Sequence, residues 1–158
     1  MVRLADLSEG ERNHLLGTAE RAPRFATEPW ARGPALRQRR VAIVTTAGLH
    51  RRGDRPFASG PGANDYRIVP KTSQSAELAM SHISVNFDRS GFRSDPNVVF
   101  PLERLLELEA DGVIGSVADY HYSFMGAPFP PTSFESKARE LADLLRRDQV
   151  DAAILFPV

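Results

Sequence analysis

The spacing of apolar positions changes several times along the chain, and each spacing predicts an element. Ser8 followed by Glu11 is a capping-box pattern, so a helix is predicted from Glu9 to Arg21, ending before Pro23, with Leu15, Leu16 and Ala19 on one stripe. From Pro23 to Pro34, prolines and a glycine predict an extended arm, with Trp30 as its one large, partly buried anchor. Val41–Thr46 (VAIVTT) is short, β-branched and apolar without alternation, the pattern of a strand covered on both faces. It runs through Ala47, Gly48, Leu49 and His50 into a polar loop rich in Gly, Pro and Arg, from Arg51 to Asp65. Tyr66–Val69 reads as a second short strand closed by Pro70, and SHISVNF over 81–87 alternates as a third.

Pro101 to Ala110 is predicted helical, with proline in the first turn, Leu102, Leu105, Leu106 and Leu108 apolar, and Gly112 just past the end. Val113–Val117 follows as a fourth strand. Thr132 and Glu135 form a second capping-box pattern, opening a helix to about Asp148 on which Phe134, Ala138, Leu141, Ala142 and Leu145 share a core-facing stripe. Residues 150–158 (VDAAILFPV) read as a last buried strand. Strands alternating with helices indicate a three-layer α/β fold, a mostly parallel sheet with helices on both faces. Residues 1–40 form a basic helix and arm, and 41–158 the α/β domain. Catalytic groups of open α/β sheets gather beyond the carboxyl ends of the strands. The last strand stops at Val158 with neither such a loop nor a covering helix, so the domain reads as lacking its C-terminal part.

Composition narrows the function classes. The 158 residues (17.5 kDa) suit one domain that can hold a core without metal or disulfide staples. Twenty basic residues balance twenty acidic ones, so there is no general electrostatic drive toward nucleic acid or anionic lipid. The run Arg37, Arg39, Arg40 suggests a phosphate patch or a solvated entry to the next strand, and the balancing acids favour the latter. No stretch of 18 apolar residues exists, and Asp6, Glu9 and Glu11 interrupt any secretory pattern, so a cytoplasmic protein without a membrane span is expected. There is no cysteine, hence no disulfide, thiolate metal site or thiol nucleophile.

Three histidines follow or flank predicted strands: His50, His82 and His121. Converging at one sheet edge, they could serve as general acids or bases or hold a divalent metal, although none has the HxH or HxxxH spacing of a metal pair. Asp88-Arg89 and Asp95-Pro96-Asn97 are polar, and as a turn-forming stretch they need no further role. Gly48, Gly53, Gly60 and Gly62 lack the GxGxxG spacing, and there is no GxSxG elbow. No cofactor is implied.

Five segments together resemble one family: VAIVTTAGLHRRGDRPF (41–57), DYRIVP (65–70), SHISVNFDRS (81–90), DPNVVFPLERLLELEADGVIGSVADYHYSFMG (95–126) and VDAAILFPV (150–158). They are similar to selenoprotein B of the glycine, sarcosine, betaine and D-proline reductases, in family order, and the first forty residues carry no such likeness. The resemblance implies reductive cleavage of a carbon–nitrogen bond α to a carboxylate, with a selenocysteine or cysteine nucleophile and dithiols as electron source. It also implies that a strand similar to AILFPV runs directly into the redox residue, and here nothing follows Val158. Either a UGA selenocysteine codon was read as stop, or this is a short relative without the redox centre.

The resemblance places Thr45, Thr46, His50, His82, Asp88, Arg89, His121 and Ser123 along the cleft at the strand ends. Arg89 would pair a substrate carboxylate and a histidine would protonate the leaving nitrogen. The expected partners are a small amino-acid-like ligand and either other reductase subunits or further copies of this chain. Two other readings stand beside this one: a non-redox binding or assembly module of the same fold, and a metal-dependent lyase or hydrolase built on the three histidines.

Overall fold

The computed structural model describes residues 3–26, 30–58, 63–84, 89–126 and 130–158. In chain order the elements are α1 (Glu9–Arg21), β1 (Arg40–Thr45), β2 (Leu49–Arg51), β3 (Tyr66–Pro70), β4 (Leu78–Met80), α2 (Ser90–Ser94), α3 (Leu102–Ala110), β5 (Ser116–Val117), β6 (Tyr120–Phe124), α4 (Glu135–Arg147) and β7 (Ala152–Phe156). The sheet is centred on β1. Along one edge β7 runs parallel to it, from Val41↔Ala152 to Thr45↔Phe156. Along the other edge β5 and then β6 run parallel to it, and β3 closes that side antiparallel to β6. A separate antiparallel ladder joins β2 to β4. The sheet is therefore mixed, with parallel pairing confined to β1.

Strand alternation sorts the core into two faces. Val41, Ile43, Val69 and Val117 pack with Leu102 and Leu105 of α3 on one side. Val44, Tyr66, Tyr122 and Phe124 meet Leu141, Leu144 and Leu145 of α4, and Phe134 just before it, on the other. These are the three layers expected from the sequence.

Several elements differ from expectation. The Ser8–Glu11 capping box forms, with Glu11 N–H donating to Ser8 Oγ and Ser8 N–H to the Glu11 carboxylate, yet α1 buries nothing. Trp30 is 90% exposed, because the core clusters begin at Val41 and offer the arm no apolar partner. No capping bond forms at Thr132; a single 3-10 turn, Pro131–Phe134, leads into α4 instead. The third strand sits three residues earlier than read, at β4, residues 81–84 make no ladder, and 85–87 lie outside the described residues. Of 113–117 only Ser116 and Val117 pair, and β6 was not anticipated, because the polar alternation of Tyr120–Phe124 resembles a loop.

The last strand is the main correction. β7 was expected to be buried, but Ala153, Ile154 and Leu155 are exposed, Leu155 at 69%. It pairs with β1 alone, so its outer edge has no strand beside it among the described residues. An apolar sequence predicts a need for cover; tertiary structure decides whether the cover is present.

At the amino end of the sheet Arg40 ties the layers together. Its guanidinium donates to the Asp148 carboxylate and to the carbonyls of Asp148 (2.7 Å) and Val117 (3.0 Å), and pairs with Asp119 at 3.0 Å. The Asp148 carboxylate also accepts from the N–H groups of Asp119 (2.9 Å) and Tyr120 (3.2 Å).

Candidate functional site

Parallel strands β1 and β7 end side by side, and the groups that follow them form one junction. Thr46 N–H donates to the Phe156 carbonyl at 3.0 Å, continuing the ladder one step beyond β1. Val158 N–H then donates to Thr46 Oγ1 at 2.8 Å, and that hydroxyl lies 3.3 Å from the Val158 carbonyl. Gly126 N–H donates to the Thr46 carbonyl at 2.9 Å, which brings the end of β6 against the same turn. A Cβ at Gly126 would stand 2.7 Å from the Val158 carbonyl oxygen, so only glycine admits Val158 at this depth.

The β1–β2 turn brings in the first two histidines. Gly48 has φ +65°, and a Cβ there would lie 3.0 Å from the His82 backbone nitrogen. Glycine thus allows both the left-handed turn and the close approach of the segment carrying His82. The Gly48 carbonyl accepts from Ser81 N–H at 2.9 Å. His50, on β2, is buried, with Nδ1 2.8 Å from the Arg51 carbonyl and Nε2 2.8 Å from Ser81 Oγ. Because a carbonyl can only accept, Nδ1 donates to it, while Nε2 pairs with the serine hydroxyl.

His82 is also buried, and its Nδ1 accepts from Ser84 N–H at 3.2 Å. Burial, and after it the positive charge of Arg89, push its pKa below the ordinary histidine value; the Val158 backbone nearby pulls the other way. Arg89 donates to the carbonyls of His82 and Ser84, which ties the following segment to the histidine. Val158, Thr46, His82 and Arg89 are therefore one connected group at the carboxyl ends of β1 and β7, and His50 joins it through Ser81.

His121 lies elsewhere. From Val41 to Val44 β1 advances three residues, while its partners advance five, from Val117 to Tyr122. The extra residues form a bulge between β5 and β6, which leaves Ile43 N–H without a ladder carbonyl. His121 Nδ1 accepts that N–H at 3.0 Å. The ring is fully buried, edge-on to Phe100 at 5.7 Å, and its Nε2 has no hydrogen-bond partner among the described residues. Burial pushes its pKa down to about 4, so it is neutral at pH 7.

Thr45 and Ser123 are buried beneath the junction rather than lining it. Thr45 Oγ1 accepts from Ala47 N–H at 3.2 Å, and Ser123 Oγ accepts from Leu49 N–H at 2.7 Å, so both brace the β1–β2 turn. Asp88 lies outside the described residues. No group of three His, Asp or Glu side chains among the described residues could hold a metal ion. Sequence reasoning missed Gly126, Ser81 and Ser84. The two serines carry no sequence signal, and the close approach at Gly126 exists only once β6 and β7 are both placed beside β1.

A family profile described as glycine/sarcosine/betaine reductase selenoprotein B matches residues 25–157. The chain belongs to that family. It is 30% identical over 121 residues to the D-proline reductase subunit gamma of Acetoanaerobium sticklandii, covering 76% of this chain and 49% of that protein. It is 33% and 34% identical to the sarcosine and betaine reductase complex component B subunits beta of Peptoclostridium acidaminophilum, each covering 73% of this chain and 27% of theirs. The chain thus spans between about a quarter and a half of the length of these reductase relatives. No solved structure matches it significantly. No helix among the described residues is long and apolar enough to cross a membrane.

Proposed function

We propose that this chain is the cleft-forming part of a selenol- or thiol-dependent, cytoplasmic reductase subunit that cleaves the C–N bond of an amino-acid-like substrate. The redox residue would be supplied directly beyond Val158. The seating of Val158 carries this reading: it lies at the carboxyl ends of β1 and β7, held by Thr46 and against His82. A nucleophile attached there would emerge beside an imidazole and a guanidinium. Arg89, with five N–H donors, would take the substrate carboxylate while keeping its bonds to the His82 and Ser84 carbonyls. Asp88 would balance the substrate's positive nitrogen. His82 would hydrogen-bond the nitrogen as the C–N electron pair leaves with it. In this reading His50 orients Ser81 and the His82 segment, Thr45 and Ser123 brace the turn, and His121 acts through strand geometry.

Without a thiol or selenol, the 158 residues can form no selenide or disulfide intermediate. The test compares the chain as it stands with one extended beyond Val158 by selenocysteine or cysteine and the segment that follows it in the D-proline reductase subunit. Each is mixed with a dithiol and glycine, sarcosine, betaine or D-proline, and amine release or ring opening is measured. Turnover is expected only from the extended chain, and turnover by the 158-residue chain overturns the proposal. The second reading is a binding module of a reductase complex. Saturable binding of these ligands to the 158-residue chain, with no turnover by either form, would select it.

A further inference from the structure

The outer edge of β7 and the flank of α4 form a surface that matches itself, and we propose that two copies of this chain pair through it about a two-fold axis. The proposal is independent of the reductase reading. Thr46 N–H bonds the Phe156 carbonyl, so in the β1–β7 ladder Ala152, Ile154 and Phe156 direct their backbone groups toward β1. Ala153 and Leu155 therefore direct theirs outward. Such an edge is a template for another strand.

A second β7 lying antiparallel, with the axis at Ile154, sets Ala153 opposite Leu155 of the second copy and Leu155 opposite its Ala153. These are the positions whose N–H and C=O groups point outward, so each pair can exchange two hydrogen bonds. The pairing also puts a large side chain beside a small one. Leu155, 69% exposed, would enter the second copy's apolar cleft of about 310 Å³ between α4 and the sheet, lined by Val44, Ala138, Leu141, Ala142, Ala153 and Leu155. Pro157, with no N–H, ends the pairable edge one position further on.

Charge on α4 shows the same two-fold pattern. Its exposed flank reads Glu135, Arg139, Asp143, Arg146, alternating in sign. The axis that reverses β7 also reverses α4, setting Glu135 against Arg146 and Arg139 against Asp143 of the second copy. Both cross-pairs have opposite charge. A partner of unrelated sequence would not require this symmetry, and it selects a second copy as the occupant.

Sedimentation equilibrium of the full chain tests the proposal. The expected species is a dimer of twice 17.5 kDa. Leu155→Pro removes an N–H that points outward and leaves the β1–β7 ladder intact, so it should weaken the dimer about thirtyfold, two backbone hydrogen bonds per dimer, while the circular dichroism stays unchanged. Arg139→Glu should weaken the dimer, and Arg139→Glu with Asp143→Arg should restore it, because the cross-pair is then re-formed with its signs exchanged. A monomer at every concentration overturns the proposal, as does a dimer indifferent to Leu155→Pro. Failure of the double variant to recover overturns the α4 pairing and with it this axis.

Discussion

Lowering the pH should destabilise this protein through His121. In the folded chain its ring is fully buried and titrates at about 4, against 6.5 for an ordinary histidine. The unfolded chain therefore binds a proton between these values that the folded chain refuses. Unfolding then takes up protons, so stability falls as pH falls, from full value above pH 6.5 to its lowest contribution near pH 4. At about 1.36 kcal/mol per pH unit, the 2.5-unit gap corresponds to roughly 3 kcal/mol, a large share of a typical 5–15 kcal/mol. The depressed titration of His82 acts in the same direction. Urea unfolding at half-unit steps from pH 7 to pH 5, followed by circular dichroism, measures the slope above the range of the carboxylates. His121→Asn keeps an oxygen where Nδ1 accepts the Ile43 N–H but has nothing to protonate. The variant should be about 1–2 kcal/mol less stable at pH 7 through lost ring packing against Phe100, with a flatter pH profile. Equal slopes in the two proteins would refute the assignment.

Gly126→Ala should cost about 1–3 kcal/mol, because its Cβ would collide with the Val158 carbonyl. It should also change the His82 titration followed by NMR, and an unchanged titration would mean that Val158 does not act on His82. Arg40→Leu leaves the nearly buried Asp148 carboxylate without its cation and should cost about 3 kcal/mol in urea unfolding; a loss below about 1 kcal/mol would show that the Asp119 and Tyr120 N–H groups suffice.

Where a single segment carries its own signal, the sequence alone determined the outcome. The Ser8–Glu11 box started α1 at Glu9, the unbroken β-branched run located β1, and the leucine spacing after Pro101 located α3. The two-face burial of β1 was readable for the same reason: an apolar run without alternation requires cover on both sides. The reductase resemblance, with its family order of segments, was also carried by local strings. Pairing is not local. That β7 lies at an edge, with Leu155 exposed, depends on which strand comes next to it, and no pattern within AILFPV records this. The three histidines looked equivalent in sequence. Tertiary structure separated them, because a two-residue bulge makes His121 a substitute acceptor for Ile43 while a glycine turn sets His82 beside Val158. Secondary structure follows from residue spacing along one chain, whereas a site depends on which carbonyls and N–H groups from distant segments are left for a side chain to satisfy.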